Sequence, residues 1–415
     1  MNIHWRIALA CAGIISMSVA QAAETLRLED AVTRALASNP SINAEAAQLD
    51  AVRARAKLES LPTPFVIGAD VDNVVGTGTM RGFQSAETTL RISRVLELGG
   101  KQAAREAVGV AEVNLQQHQA GIARLDLKRL TSSRFVQALA LQQRLAYSEE
   151  RVKQAEQTRK EVASWVRAAR NPESDLQSAE IALDEARLAR ETTASALVAA
   201  RLALAAIWGD SSPSFDQLIG DLKFLPSIEP FDALAERLPR TPELWASRLQ
   251  ADTLAARRRA AESLAKPDLD VGVGVKRLED VNDHALVFSV SMPLGGGQRS
   301  RYSVAQADAE LAAVEARKES ARFERYQTLF TIYQELIQTQ REVEVLRTSM
   351  LPNAEKALST TRKGFDAGRF SFLSLTQAQQ TLFDLNERAV EAAARYHLLM
   401  IEVKRLTATV EDMTL

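Results

Sequence analysis

Ten positions that recur at an interval of 199 residues constrain this 415-residue chain more than anything else in it. Leu375, Ala378, Leu382, Leu385, Ala389, Ala392, Tyr396, Leu399, Val403 and Leu406 keep the 3-4 alternation of a coiled-coil seam. In the same register 199 residues earlier stand Leu176, Ala179, Leu183, Ala186, Arg190, Thr193, Leu197, Ala200, Leu204 and Ile207, eight of them apolar. Other pieces repeat as well. Thr241-Pro242-Glu243-Leu244 answers Asn39-Pro40-Ser41-Ile42, and Glu262-Ser263-Leu264 answers Glu59-Ser60-Leu61. The chain is a duplication, so whatever one half folds into, the other half folds into too.

Each half carries one switch from period two to helix. SAETTLRISRVLELGGKQAAREAVGVA (85–111) alternates up to Leu96, passes Gly99-Gly100, then runs to about residue 168 without proline. HALVFSVSMPLGGGQRSRYSVAQADA (284–309) makes the same change across Gly295, Gly296 and Gly297. The glycines mark joints where a tilted strand bends into a helix. The first half (23–208) therefore reads as a helix restarted at Asn39-Pro40, a β-hairpin over 65–96, a long helix 101–168 and a helix 174–208. Residues 209–231, with Pro213, Pro226 and Pro230, form an equatorial connector. The second half (232–415) gives a helix 232–265, a hairpin over 268–293, a long helix 298–365 kinked at Pro352, and a helix 371–409. The region 24–61 is read as helix from its start.

Lengths add an architectural constraint. At about 1.5 Å per residue, each long helix reaches roughly 100 Å and each shorter one about 50 Å. The expected arrangement is a cylinder in which a long helix lies beside two stacked short ones, 174–208 with 232–265 and 371–409 with 28–61. In the hairpins, Phe65, Ile67, Ala69, Val71, Thr88, Leu90 and Ile92 share one face, as do Leu269, Val271, Val273 and Val275. Asp70, Asp72, Glu87, Arg91, Asp268, Asp270 and Lys276 fall on the opposite, polar face. Strands of about ten residues suit a tilted membrane crossing, but four cannot close a barrel, and an open edge in lipid leaves backbone groups unpaired. Three chains pooling their strands would make twelve. The other reading of the alternation is a small soluble sandwich on a helical stalk.

The remaining bulk properties exclude more than they assign. A net charge of −2 gives no basic footprint for nucleic acid. Residues 1–22 read as a signal peptide: His4 and Arg6, an apolar stretch, then Ala20-Gln21-Ala22. Cys11, the sole cysteine, lies inside it, so the mature chain has neither a disulfide nor a thiolate metal site. No later run is expected to supply a membrane-spanning helix. His118, His284 and His397 share no metal-ligand spacing, and Gly99-Gly100-Lys101 and Gly295–Gly297 lack the spacing of a phosphate loop. No catalytic residue, cofactor site or metal site is expected. The export signal, with no other lipid anchor, favours the barrel over the sandwich.

With these features in place, the chain resembles the TolC-like outer-membrane factors, the outer membrane efflux proteins. VLELGGKQAAREA after the second strand and GRFSFLSLTQAQQTLFDLNE near the C-terminus carry the resemblance, together with the duplicated plan. LELGGK followed by an arginine-bearing helix looks like the CzcC-like heavy-metal branch. The resemblance implies a mainly α fold with a small β part: duplicated helical hairpins forming an α-helical barrel, plus four strands of a trimeric twelve-stranded transmembrane β-barrel. It implies a passive, non-enzymatic exit duct in the outer membrane with a large periplasmic portion. Its partners would be a homotrimer's other copies, outer-membrane lipid, a periplasmic adaptor and a proton-driven inner-membrane pump of the resistance-nodulation-division type. Heavy-metal cations are the expected cargo, with drug or polypeptide export as the alternative within the fold and a soluble coiled-coil scaffold as the alternative outside it.

The same resemblance puts the periplasmic tip, where adaptors dock and the pore closes, at 166–179 and 365–378. Its residues here are Arg167, Arg170, Asp175, Gly364, Asp366, Gly368, Arg369, Phe370, Phe372, Leu373, Ser374 and Gln377. Asp175 matches a family aspartate, whereas Ser374 and Gln377 stand where the family's aperture aspartates are found. Asp366 and Arg369 are the candidates for a different closing pair. Phe365, Phe370, Phe372 and Leu373 either pack between hairpins or meet the adaptor. The polar strand faces, with five acids against two bases, would line the lumen and mildly favour cations.

Overall fold

A computed structural model describes residues 24–413; the signal-peptide reading and Cys11 lie outside the described residues. The chain opens with a short strand, β1 (Glu24–Arg27), before α1 (Leu28–Ser38) and α2 (Pro40–Ser60). Helix was expected from residue 24. Instead β1 pairs in parallel with β4 (Phe215–Ile219), through Leu26 opposite Leu218. Both strands are too short to announce themselves by alternation, and their pairing crosses nearly 200 residues of sequence. The connector is thereby pinned into the protein. Phe215, Leu218 and Leu222 are buried with Leu26, Ala31, Phe135, Leu139 and Leu204 at mid-height.

The helices follow the duplication. The first repeat continues with the hairpin β2 (Phe65–Asp72) and β3 (Glu87–Leu96), α3 (Lys101–Arg167) and α4 (Glu173–Ala205). Its 67 residues make α3 about 100 Å long. After the connector, a one-turn helix α5 (Phe231–Ala235) and a 3-10 turn precede α6 (Pro242–Ser263). The expected continuous helix over 232–265 is therefore broken, and it restarts where proline suits a first turn. Then come β5 (Leu269–Leu278), β6 (Asp283–Ser291), α7 (Gly296–Val345), α8 (Leu351–Asp366) and α9 (Phe372–Leu406). Between α7 and α8 lies a π-helical turn, Leu346–Met350, just before Pro352. Proline lacks an N–H and clashes with the carbonyl four residues back, and the wider turn absorbs both.

Packing arranges four lanes in one layer: α2 and α4, then α3, then α6 and α9, then α7 with α8. Each long helix does lie beside stacked short ones, but the stacks join helices of the same repeat, not those expected from length. Asn39 at the start of α2 donates its side-chain N–H to the carbonyl of Ile207, beyond the end of α4. In the other stack, Arg405 in the last turn of α9 meets Glu243 in the first turn of α6 at 2.6 Å. Equal lengths cannot distinguish the two ways of stacking.

The helix Glu173–Trp208 is long and apolar enough to cross a membrane by length and composition, against the expectation that no such segment follows residue 22. It packs lengthwise on α3 through Ala179, Leu183, Ala186, Leu197 and Leu204. Ile181, Leu188, Val198 and Leu202 are exposed along another side of it.

Candidate functional site

The four long strands form one antiparallel sheet in the order β2-β3-β5-β6. Residues directly opposite one another share a face, so the register sorts every side chain. One face carries the rows Phe65–Arg94–Val271–Val290, Ile67–Ile92–Val273–Phe288, Ala69–Leu90–Val275–Leu286 and Val71–Thr88–Arg277–His284. Its apolar side chains stand in the open: Ile67 is 79% and Phe288 75% exposed. An apolar surface of this extent on a chain with a packed core is a surface awaiting a cover.

The other face holds the expected lumen residues, and several of them neutralise one another. Lys276 Nζ lies 2.6 Å from Glu87 Oε2, and Arg91 Nε lies 3.5 Å from Asp70 Oδ2. Arg91 lies across from Gly68 and Gly274, where a Cβ would crowd it. Asp72 and Asp270 form no ion pair among the described residues. Of the expected lumen groups only these two carboxylates stay unpaired, and the register adds Asp283, opposite Leu278 in the row of Asp72 and Glu87, so the negative character of this face rests on three carboxylates per chain, not on the five-to-two excess counted in sequence.

Asp268 sits one residue before β5, where it ties the two repeats together. Lys101 Nζ, buried at the start of α3, reaches its Oδ1 at 2.6 Å, and the Leu98 N–H donates to the same oxygen at 3.3 Å. Beside it, Arg105 clasps Glu97 with both terminal nitrogens and donates through Nε to the Glu59 carbonyl at 2.8 Å. Glu97, Lys101 and Arg105 belong to the LELGGKQAAREA stretch, so that motif fastens the strand-to-helix joint. Gly99, Gly100 and Gly295 take left-handed backbone there, and a side chain at Gly296 would strike the Leu264 carbonyl, while Gly297 has open space.

At the opposite end of the layer both tips close with the same hydrogen bonds. Arg170 N–H donates to the Trp165 carbonyl at 2.8 Å and Ala169 N–H to that of Val166 at 2.9 Å. In the second tip, Arg369 donates to Gly364 and Gly368 to Phe365 at the same distances. These are Schellman turns, with Ala169 (φ 54°) and Gly368 (φ 69°) at the left-handed position. Phe365 (2% exposed) and Phe372 (5%) pack with Trp165, Val162 and Leu375 between the hairpins. Phe370, whose ring covers Gly364, and Leu373 remain 47% and 70% exposed. The apolar cluster thus divides into an inner pair and an outer pair.

Charge at the tips is largely unpaired. Arg167, Arg170 and Arg369 are exposed and form no ion pair among the described residues. Asp366 lies 3.7 Å from Arg362, not beside Arg369. Asp175 accepts from Asn171 Nδ2 at 2.7 Å in the first turn of α4. Ser374 donates its N–H to the Ser371 side chain at 3.2 Å, capping α9, and Gln377 is exposed one turn on.

Sequence reading did not find the charge cluster at mid-height. Glu243 lies 2.6 Å from Arg405 and 2.7 Å from Arg325, and Arg405 Nε reaches Asp126 at 2.7 Å. Four helices meet there. Burial pushes the Glu243 carboxyl up, but Arg325 and Arg405 overturn this and hold it below the ordinary carboxylate value. Nearer the sheet, Glu112 of α3 binds Arg55 of α2 and Arg257 of α6 across the repeats. His118 Nε2 lies 2.7 Å from the Pro242 carbonyl, and His397 bonds the Leu222 carbonyl at 3.2 Å. Among the described residues no group of three His, Cys, Asp or Glu could hold a metal ion.

Known proteins share this arrangement. The family profile described as "Outer membrane efflux protein" matches residues 233–409. The cobalt-zinc-cadmium resistance protein CzcC of Cupriavidus metallidurans is 28% identical over 371 residues, covering 89% of this chain and 86% of that one. Among solved structures, a membrane protein from Pseudomonas aeruginosa superposes with a TM-score of 0.78 at 16% identity, covering 92% of this chain and 90% of that one. The outer membrane protein VceC of Vibrio cholerae gives 0.75 at 15%, covering 92% and 96%. These two likenesses are of fold. The profile spans the second repeat and the CzcC match runs through both, so along nearly its whole length the chain resembles the outer membrane efflux proteins, a family of ducts rather than enzymes.

Proposed function

We propose that three copies of this chain close into one passive duct that exports heavy-metal cations of the cobalt, zinc and cadmium type. A periplasmic adaptor docks on the helical tips, and a proton-driven inner-membrane pump of the resistance-nodulation-division type loads the duct. The observation that carries the reading is the register of the four-stranded sheet. It gathers the apolar side chains onto one face, with arginines only towards its two ends, and its edge strands β2 and β6 are unpaired among the described residues. A membrane tolerates such edges only when they are closed, so β6 pairs with β2 of the next copy and three sheets make twelve strands. The helical layer has matching outer lanes. The exposed Ile181, Leu188, Val198 and Leu202 of α4 lie on one lane, and Tyr302, Phe323 and Phe330 of α7 on the other. A head-to-tail ring buries both.

The cargo class is supported by the CzcC match along nearly the whole chain. Metal-holding clusters are not needed in a duct of this kind, because selection falls to the pump. Deleting the gene should sensitise its host to cobalt, zinc or cadmium salts, and the wild-type chain should restore growth. Ile67→Asp, which places a charge in the apolar face, should not restore it. Unchanged metal tolerance of the deletion strain, with raised sensitivity to hydrophobic drugs, would contradict the cargo.

A further inference from the structure

The outer face of the sheet carries one cation close to its helix-side end. Arg94 shares a row with Phe65, Val271 and Val290, two residues before the end of β3. Its Nε donates to the Thr63 carbonyl at 3.0 Å, and its guanidinium lies 4.9 Å from the centre of the Phe65 ring. Neither terminal nitrogen meets an acceptor among the described residues, and no carboxylate comes within ion-pair distance. Phe65, Ile92, Leu96, Val271 and Val273 line a groove of about 440 Å³ beside it.

The far end of the same face differs. Arg277, in the row of Thr88 and His284, is engaged by Glu279 at 2.7 Å. Only the helix-side cation is left open. From the row of Leu96 to that of Thr88 is about 27 Å along the strand, or about 20 Å of depth at the usual barrel tilt. Arg94 lies about 5 Å inside the helix-side edge of that band, within reach of the headgroups for a side chain that can snorkel. A bare guanidinium among acyl chains is costly, whereas one against a phosphate is not.

We propose that Arg94 and this groove seat a glycerophospholipid of the periplasmic leaflet, its phosphate on the guanidinium and an acyl chain along the groove. The proposal rests on the sheet crossing the membrane. Lipids of the outer leaflet place their phosphates at the Arg277 end, away from this site.

Native mass spectrometry of the detergent-solubilised mature chain, with phosphatidylglycerol or chain-matched diacylglycerol added, tests it. The wild-type chain should retain phosphatidylglycerol in preference to diacylglycerol. Arg94→Gln should lower that retention about ten-fold, the loss of one charge-assisted contact. Arg94→Lys should keep part of it, and Arg277→Gln all of it. Equal retention of the two lipids by the wild type, a comparison that needs no variant, would overturn the site. So would undiminished retention by Arg94→Gln. Liposome flotation separates the two levels of failure: a wild-type chain that does not insert sinks the membrane reading too, whereas one that inserts but shows no phospholipid preference sinks only the site.

Discussion

Ala169 holds the left-handed position of the first tip turn, where the second tip has Gly368. A side chain in that region costs about 1–2 kcal/mol, part of which is offset by the greater freedom of glycine in the unfolded chain. Ala169→Gly should therefore stabilise the helical part by about 0.5–1 kcal/mol, read as a raised urea midpoint; an unchanged or lowered midpoint would refute the strain. The tips also show what a single side chain can conceal in sequence. Phe365, Phe370, Phe372 and Leu373 look alike as a run of apolar residues, yet the first and third fill the space beside Trp165 while the others face solvent. The turn geometry decides which is which, and it depends on Gly364 admitting the Phe370 ring. At the polar strand face the same holds for charge. Glu87 and Lys276 read as separate lumen groups until the register sets them in contact across 189 residues.

The long elements were legible because their periods are long. Alternation over about ten residues marked the strands, and 3-4 spacing marked the stretches that fold as α3 and α9, whereas the helix expected over 298–365 is divided into α7 and α8 by the π-helical turn before Pro352. Short or distant pairings were not legible. β1 and β4 offer too few residues for a period, and the stacking of α4 on α2 leaves no trace in either helix's length. Nor does sequence spacing bring together Asp126, Glu243, Arg325 and Arg405, which fasten α3, α6, α7 and α9 at mid-height. That cluster has a pH signature. Glu243 is held below its reference value of 4.5, so its stabilisation is complete above about that pH and fades as pH falls through the lower folded value. Glu243→Gln should cost about 1–3 kcal/mol at neutral pH. It should also flatten the part of the acid loss that Glu243 contributes in wild type. A variant whose stability tracks wild type at every pH would show that the cluster does not hold the stack.

At the scale of the whole molecule, one chain is a layer with two open sides. Its sheet ends in the unpaired edges β2 and β6, its helical layer ends in the exposed faces of α4 and α7, and its apolar strand face has no partner of its own. On the proposed reading, closing the layer on two further copies pairs the edges and covers the helical faces, the membrane covers the apolar strand face, and the polar strand face, with Asp72 and Asp270 unpaired, surrounds a water-filled bore. The alternative of a soluble scaffold leaves Ile67, Leu286, Phe288 and Val290 in water, at roughly 25 cal/mol for each Å² of apolar surface left uncovered. The most direct test is planar-bilayer recording with the purified mature chain. The duct predicts discrete conductance steps from a trimeric species, with a cation preference that falls when Asp72 and Asp270 are both changed to lysine. A chain that stays monomeric and water-soluble and never conducts would contradict it.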